Sequence, residues 1–290
     1  MKICLIQVPY HLGKKAVGMG LGPVRFLQSN LVQNLLDRGY ELKIVSVQLD
    51  KPIDDELEGI IAINNIQKIK VRSAIGDGYF PLILGGNCNS SFGTVAGLNS
   101  SQTGIIWLDA HGDFNTPDTS PSGFFDGMPF AVVTGQCHRE LWSQIADIDP
   151  LQESHALHIG GRDLDQGEQE LFESTEVETI STAEIKATGL RESLLPKLKA
   201  LQRQVQHIYL HIDIDIVDPQ EAPGVDYRAP HGFSLNEVEQ IIQIISEHLP
   251  VQAAALTAYN PANDEDGKTL QAGIRLLNAI VGAVDKTPVL

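Results

Sequence analysis

The chain has 290 residues, 42% of them hydrophobic and 20% charged, the balance of a globular protein long enough to bury a full core. Asp and Glu number 37 against 21 Lys and Arg, and the formal net charge of -16 repels phosphate backbones and anionic lipids, which argues against nucleic-acid and membrane partners. Cys4, Cys88 and Cys137 have no framework spacing, the amino-terminal apolar run is too short for a signal sequence, and no stretch nears the roughly 20 apolar residues of a membrane span, so a reducing, cytoplasmic setting is expected.

Residues 2–8 read as a first core strand, stopped by Pro9. After a glycine-rich loop, Pro23 sits in the first turn of a helix that carries Phe26, Leu27, Leu31, Leu35 and Leu36 at helical spacing. Residues 41–47 form a second strand. Residues 54–73 read as mostly helical, with Asn64-Asn65 interrupting the apolar face. The third strand, 81–84, delivers Gly85-Gly86-Asn87-Cys88-Asn89-Ser90-Ser91, with Ser90 or Ser91 expected to cap a helix running to about Asn99. Residues 103–108 are apolar on both faces, as in a parallel strand buried between helix layers, and lead into Asp109-Ala110-His111-Gly112-Asp113. A short apolar helix ends at Thr134. Strands at 156–160, 177–180, 205–213 and 251–258 then alternate with helices from near Gln166, at 183 to about 204, at 234–247 and from about Lys268. No linker, low-complexity tract or repeat intervenes, so residues 1–290 read as a single domain, and the alternation predicts a three-layer α/β/α fold with a mainly parallel sheet.

In such sheets ligands bind beyond the carboxyl ends of the strands. Asp109, His111 and Asp113 fall there at alternate positions, and in an extended chain side chains two apart project the same way. Alone, this pattern is more often a solvated loop. A second strand ending in Asp213 and Asp215 shifts the balance toward a metal site. Gathering four carboxylates without a cation would cost several kcal/mol, and a divalent metal removes that cost. Cys88 enters the same crevice, as a buried core thiol or as a thiolate ligand.

These motifs resemble the ureohydrolase superfamily of arginases, agmatinases and formiminoglutamases over nearly the whole chain. The family's Gly-Gly-Asp-His-Ser stands here as Gly85-Gly86-Asn87-Cys88-Asn89, its Asp-Ala-His-x-Asp as residues 109–113, and its Asp-x-Asp-x-x-Asp-Pro as residues 213–219. Ala222-Pro223-Gly224 and the Gly-x-Arg-Asp-x-Asp of residues 160–165 follow the same pattern. The resemblance implies an arginase-like fold and two Mn²⁺ ions that activate water against an amidine-type carbon. By position Asp109 and Asp213 match its bridging ligands, Asp113 a ligand of the first metal, and His111 and Asp215 ligands of the second. Cys88 stands at a first-metal histidine, which weakens that site, softens it toward Zn²⁺ or Fe²⁺, or leaves it empty.

Other departures concern the substrate. Asp126 replaces the family's proton-shuttle histidine, Phe124 an asparagine that grips a carboxylate, and Ala258 the glutamate that pairs with a guanidinium, while Tyr227 and Arg228 replace small residues. Asp126 is a candidate anion, general base or helix cap, and His231 a candidate proton shuttle or a surface histidine without a role. Asn115, Asp165 and Tyr227 are candidate substrate contacts, with an Arg162 salt bridge as the structural alternative for Asp165. The expected protein is a cytoplasmic, homo-oligomeric, binuclear metallohydrolase. It cleaves a linear non-peptide C–N bond in an amidine, guanidino or formimino compound other than arginine or agmatine. Two other readings are a mononuclear zinc deacetylase-like enzyme built on Asp109, His111 and Asp213, and a non-catalytic ligand-binding relative stabilised by metal.

Overall fold

The computed structural model describes residues 1–286; residues 287–290 of the expected domain lie outside the described residues. The chain opens with β1 (Lys2–Val8) and a small hairpin of β2 (Tyr10–His11) and β3 (Lys14–Lys15). Helices α1 (Gly22–Gln28) and α2 (Leu31–Asp37) precede β4 (Glu41–Ser46); α3 (Glu56–Gly76) precedes β5 (Phe80–Gly85); α4 (Ser91–Leu98) precedes β6 (Thr103–Leu108). Then come α5 (Pro129–Val133), α6 (Arg139–Ile145), β7 (Ala156–Ile159), α7 (Gln166–Ser174), β8 (Glu178–Ile180), α8 (Thr182–Thr188) and α9 (Leu190–Gln202). The remaining elements are β9 (His207–Asp213), α10 (Leu235–His248), β10 (Val251–Thr257) and α11 (Lys268–Lys286). Among the described residues no helix is long and apolar enough to cross a membrane.

Among the described residues, eight strands form one parallel sheet in the order β4-β1-β5-β10-β9-β6-β7-β8. Successive side chains of a strand point to opposite faces, and the two faces bury separate apolar layers. Ile3, Leu5, Leu82, Leu84, Ile106 and Leu108 join one layer with residues of α1, α2, α9, α10 and α11. Cys4, Ile6, Ile83, Ile105 and Trp107 join the other with residues of α3 to α6. The three-layer α/β/α architecture follows from this division. β9 and β10 lie between β5 and β6, so the order of strand addition reverses there, and the carboxyl ends of β5, β10, β9, β6 and β7 surround one crevice.

Local chemistry overrode the apolar pattern at two places. The helix expected to run through Leu36 breaks at Ser29, whose hydroxyl donates to the Phe26 carbonyl at 2.6 Å and accepts the Leu31 N–H at 3.2 Å; Leu36 is 47% exposed. The helix expected over 183–204 is split by Gly189, whose φ of 106° closes α8. In contrast, the Asn64 position does not interrupt α3. Its side chain donates to the Ile60 carbonyl at 2.9 Å and accepts the Gly93 N–H at 2.7 Å, while Gln67 donates to the Ser90 carbonyl at 2.7 Å and to Thr94 Oγ1 at 2.9 Å. A Cβ on Gly93 would lie 2.7 Å from the Asn64 carbonyl, so glycine permits this close approach of α4 to α3. These bonds, not a serine cap, fix the turn that carries Cys88; Ser90 makes no side-chain cap at the start of α4.

Candidate metal centre

The turns that end β6 and β9 meet through backbone-to-carboxylate hydrogen bonds. Asp109, 1% exposed, accepts the Trp107 indole N–H on Oδ2 at 3.0 Å and the His111 N–H on Oδ1 at 2.8 Å. Asp215 Oδ1 accepts the Ala110 N–H at 3.1 Å, tying one strand end to the other, and Asp213 Oδ1 accepts the Asp215 N–H at 2.8 Å. From β5, the Cys88 thiol donates to Asp213 Oδ2 at 3.1 Å. Convergence does not come from the alternation of an extended chain, as the sequence suggested. Asp113 has a left-handed φ of 47°, and Asp215 sits in the 3₁₀ turn Ile214–Ile216.

Among the described residues, two donor groups result. Ligand atoms of Cys88, Asp109 and Asp113 lie within 4.8 Å of one another, and so do those of Asp109, His111 and Asp215. Asp109 belongs to both, while Asp213 hydrogen-bonds Cys88 of one group and Asp215 of the other. Burial, with Asp215 nearby, raises Asp109 from 3.8 to about 6, and burial with neighbouring carboxylates pushes Asp113 and Asp213 well above the ordinary range. Burial also opposes ionisation of Asp215, but His111 Nδ1 at 2.9 Å holds its carboxyl low. The same burial disfavours a charged His111, and Asp215 and Asp109 override it, raising the imidazole. Asp113 Oδ2 is buried without a hydrogen-bond partner. Clustered carboxylates, an orphan oxygen and an imidazole fit hard divalent cations, and Cys88 adds one soft donor.

A cavity of about 450 Å³ opens from this cluster, lined also by Asn115, Phe124, Asp126, Asp165, Tyr227 and Ala258. Asp126 does not cap a helix, because the N-cap position of α5 is Met128 and no side chain caps that helix. Its carboxylate instead accepts the Asn89 N–H at 3.1 Å, the Asn89 side-chain amide at 3.0 Å and the Asn87 side-chain amide; burial raises it to about 7. Asp165 makes no Arg162 salt bridge. It caps α7 and accepts the Asn115 amide at 2.9 Å, while Arg162 donates to the carbonyls of Asp215, Ala229 and Pro230. Tyr227 stands at the mouth, 55% exposed, its ring centroid 5.7 Å from that of Phe124. His231 is exposed, with a φ of 66°, and is not among the cavity-lining residues, so the structure does not bring it to the candidate site.

Three supporting groups escaped the sequence reading. Glu168, 3% exposed, accepts the Phe114 N–H and the Asp165 N–H, each at 3.0 Å. The capping-box spacing of Asp165 and Glu168 was its available signal. Asn87 and Asn89 reach Asp126 across the fold, and only their place beside Cys88 marked them. Behind Cys88, Thr257 Oγ1 lies 3.3 Å from Sγ and 3.4 Å from His211 Nε2, and Tyr209 Oη lies 2.8 Å from His211 Nδ1. Nothing in the spacing of β9 and β10 announces that chain.

The Arginase family profile matches residues 1–282. The arginase of Bacillus subtilis (strain 168) is 30% identical over 289 residues, and that of Staphylococcus aureus (strain COL) is 29% identical over 296; each alignment covers 97% of this chain and 97% of the relative. The crystal structure of arginase from Bacillus subtilis superposes with a TM-score of 0.89 at 29% identity, covering 97% of this chain and 99% of that one. Sheet order, strand-end motifs and near-complete alignment therefore agree: the chain belongs to the arginase family, with the fold that the motifs implied.

Proposed function

We propose that this arginase-family chain, acting as a single domain over residues 1–290, is a metal-dependent hydrolase of linear, non-peptide C–N bonds in amidine, guanidino or formimino compounds. The observation that carries this reading is the membership of Asp109, itself buried, in both donor groups. Asp113 and Cys88 would complete one metal site, His111 and Asp215 the other, with Asp109 and Asp213 shared between them. Divalent cations there, two Mn²⁺ by family resemblance with Zn²⁺ or Fe²⁺ suited to the thiol side, would neutralise the carboxylates and bring proton loss from water near neutral pH.

The protein's own groups supply orientation. The Trp107 indole and the His111 N–H hold both oxygens of Asp109, and the His158 ring nitrogen at 2.7 Å from the His111 carbonyl braces the turn. Asp126 is assigned to contact substrate nitrogens from the cavity wall. Asn115 and Asp165, bonded to each other, and Tyr227 at the mouth are the other assigned contacts. His231 is left out of the assignment because it lies off the cavity lining.

A substrate other than arginine or agmatine is supported by Phe124, which offers no amide to a carboxylate, and by Ala258, which leaves any anion for a cationic substrate to a different wall of the cavity. The mononuclear zinc alternative has weaker support, since Asp215 rather than Asp213 groups with Asp109 and His111. Three free cysteines support a cytoplasmic location, and the family resemblance supports a homo-oligomer. The test is elemental analysis of the purified protein, with ammonia, urea or formamide release measured across guanidino and formimino compounds. Two metal equivalents, with both metal and turnover lost in Asp213→Ala, are the expected result. Wild-type turnover in that variant refutes the assignment.

A further inference from the structure

Three positions at which the chain departs from the family pattern form one hydrogen-bonded unit. Asn87 and Asn89 flank Cys88 in the turn after β5, and Asp126 lies in the 3₁₀ turn Phe125–Gly127 before α5. Asp126 Oδ1 accepts both the backbone and side-chain N–H groups of Asn89, and Oδ2 accepts the Asn87 amide. Asn87 is itself fixed, because its Oδ1 accepts the Leu12 N–H at 2.8 Å, which turns its NH₂ group toward Asp126. All three residues are buried, and Asp126 lines the cavity.

The donors are informative. An asparagine amide gives hydrogen bonds to a carboxylate but carries no charge, so it fixes the plane of the anion without neutralising it. An arginine or lysine in either place would cancel the charge the cavity sees. The Asn89 and Asn87 bonds also restrain rotation of the carboxylate, which suits a group that recognises a ligand more than one that swings to carry a proton. The neighbouring strand end, where Ala258 presents only a methyl group, leaves room for a cation to reach it.

We propose that Asn87, Asp126 and Asn89 form a cradle that presents an oriented carboxylate to the cavity, where Asp126 selects the planar amidinium-type cation of the substrate. Asp126 is the specificity-determining contact, and Asn87 and Asn89 are positioning residues that act through it. The proposal rests on the hydrolase reading for the identity of the cavity, but its test separates the two.

The metal-treated full-length protein is titrated calorimetrically with guanidinium chloride and with urea, a neutral molecule of the same shape. Wild type binds guanidinium more tightly than urea. In Asp126→Asn, guanidinium binding weakens about 10- to 100-fold, the scale of one lost charge-assisted hydrogen-bond pair, while urea binding stays within about threefold. Asn89→Ala loses part of the preference and Asn89→Ser, which restores a donor, recovers some of it; a purely structural role would not move the guanidinium-to-urea ratio. Equal affinity for the two ligands in wild type, or an unchanged ratio in Asp126→Asn or Asn89→Ala, overturns the cradle. Metal content measured on the same samples judges the hydrolase reading separately: stoichiometric metal with an unchanged ratio removes only the cradle, and no bound metal removes the hydrolase reading while the ratio still decides the cradle. If Asp126→Asn fails to fold, the Asn89→Ala and Asn89→Ser pair decides the question alone.

Discussion

Glu168→Ala tests whether the metal-side turn is held from outside. Glu168 joins the turn after β6 to the start of α7 by accepting the Phe114 and Asp165 N–H groups, each at 3.0 Å. Phe114 follows Asp113, whose left-handed φ of 47° aims its carboxylate at the donor group, and a Cβ on Gly112 would stand only 2.7 Å from Glu168 Oε1. Truncation leaves two N–H donors unpaired. Hydrogen bonds to a charged acceptor contribute about 1.5–3 kcal/mol each. Burial already disfavours the charge on Glu168, so removing it returns part of that sum, and a net loss of about 3 kcal/mol is expected. For a chain of this size that lowers Tm by roughly 5–10 °C. Scanning calorimetry measures it, and a metal titration of the same variant should show about tenfold weaker binding as Asp113 loses its restraint. Melting within about 1 °C of wild type, with unchanged metal affinity, would refute the claim that Glu168 supports the site.

Three further outcomes follow from the geometry. Asp109, raised to about 6 from 3.8, keeps its proton in the fold at pH values where the unfolded chain has lost it, so its contribution to stability is full below 3.8 and is lost as pH rises through about 6. A bound cation offsets that loss, so the Tm gain on adding Mn²⁺ over EDTA-treated protein should grow between pH 5 and pH 8; a gain independent of pH contradicts it. Cys88→His should shift metal preference from Zn²⁺ toward Mn²⁺ in a competition assay, and an unchanged order would mean the thiol is not a ligand. Asn64→Leu leaves the Gly93 N–H buried without its acceptor and should cost about 1–3 kcal/mol in denaturant unfolding, whereas a neutral result would show that α3 and α4 do not depend on that bond.

How legible each part was depended on how far away its cause lay. Residues 103–108 and 207–213 were readable as strands because a parallel strand buried on both faces leaves a continuous apolar run, and their acidic ends marked the site. Residues 29 and 189 broke helices for reasons held in one side chain or one dihedral angle, which apolar spacing does not weigh. Asn64 looked like an interruption because its polarity was visible and its partner, the Gly93 N–H, was not. Asp113 was placed in the right cluster by the wrong route, since an extended chain was assumed where a left-handed turn occurs. His231 drew notice by following the metal strand, but the loop carries it away from the cavity. The Asn87 and Asn89 bonds to Asp126 span more than 35 residues of chain, and no local pattern encodes such a pairing.

The position of β9 and β10 between β5 and β6 has a bearing on how the protein is made. A ribosome that has released only the amino-terminal two-thirds of the chain has delivered Cys88, Asp109, His111 and Asp113 but neither strand that fills the gap between their turns. Non-local strand insertion of this kind is slow relative to local helix formation. The nascent chain thus reaches its full complement of carboxylates only when the last strands slot into place, and capture of the proposed cations would be a late event in biogenesis, coupled to closure of the sheet.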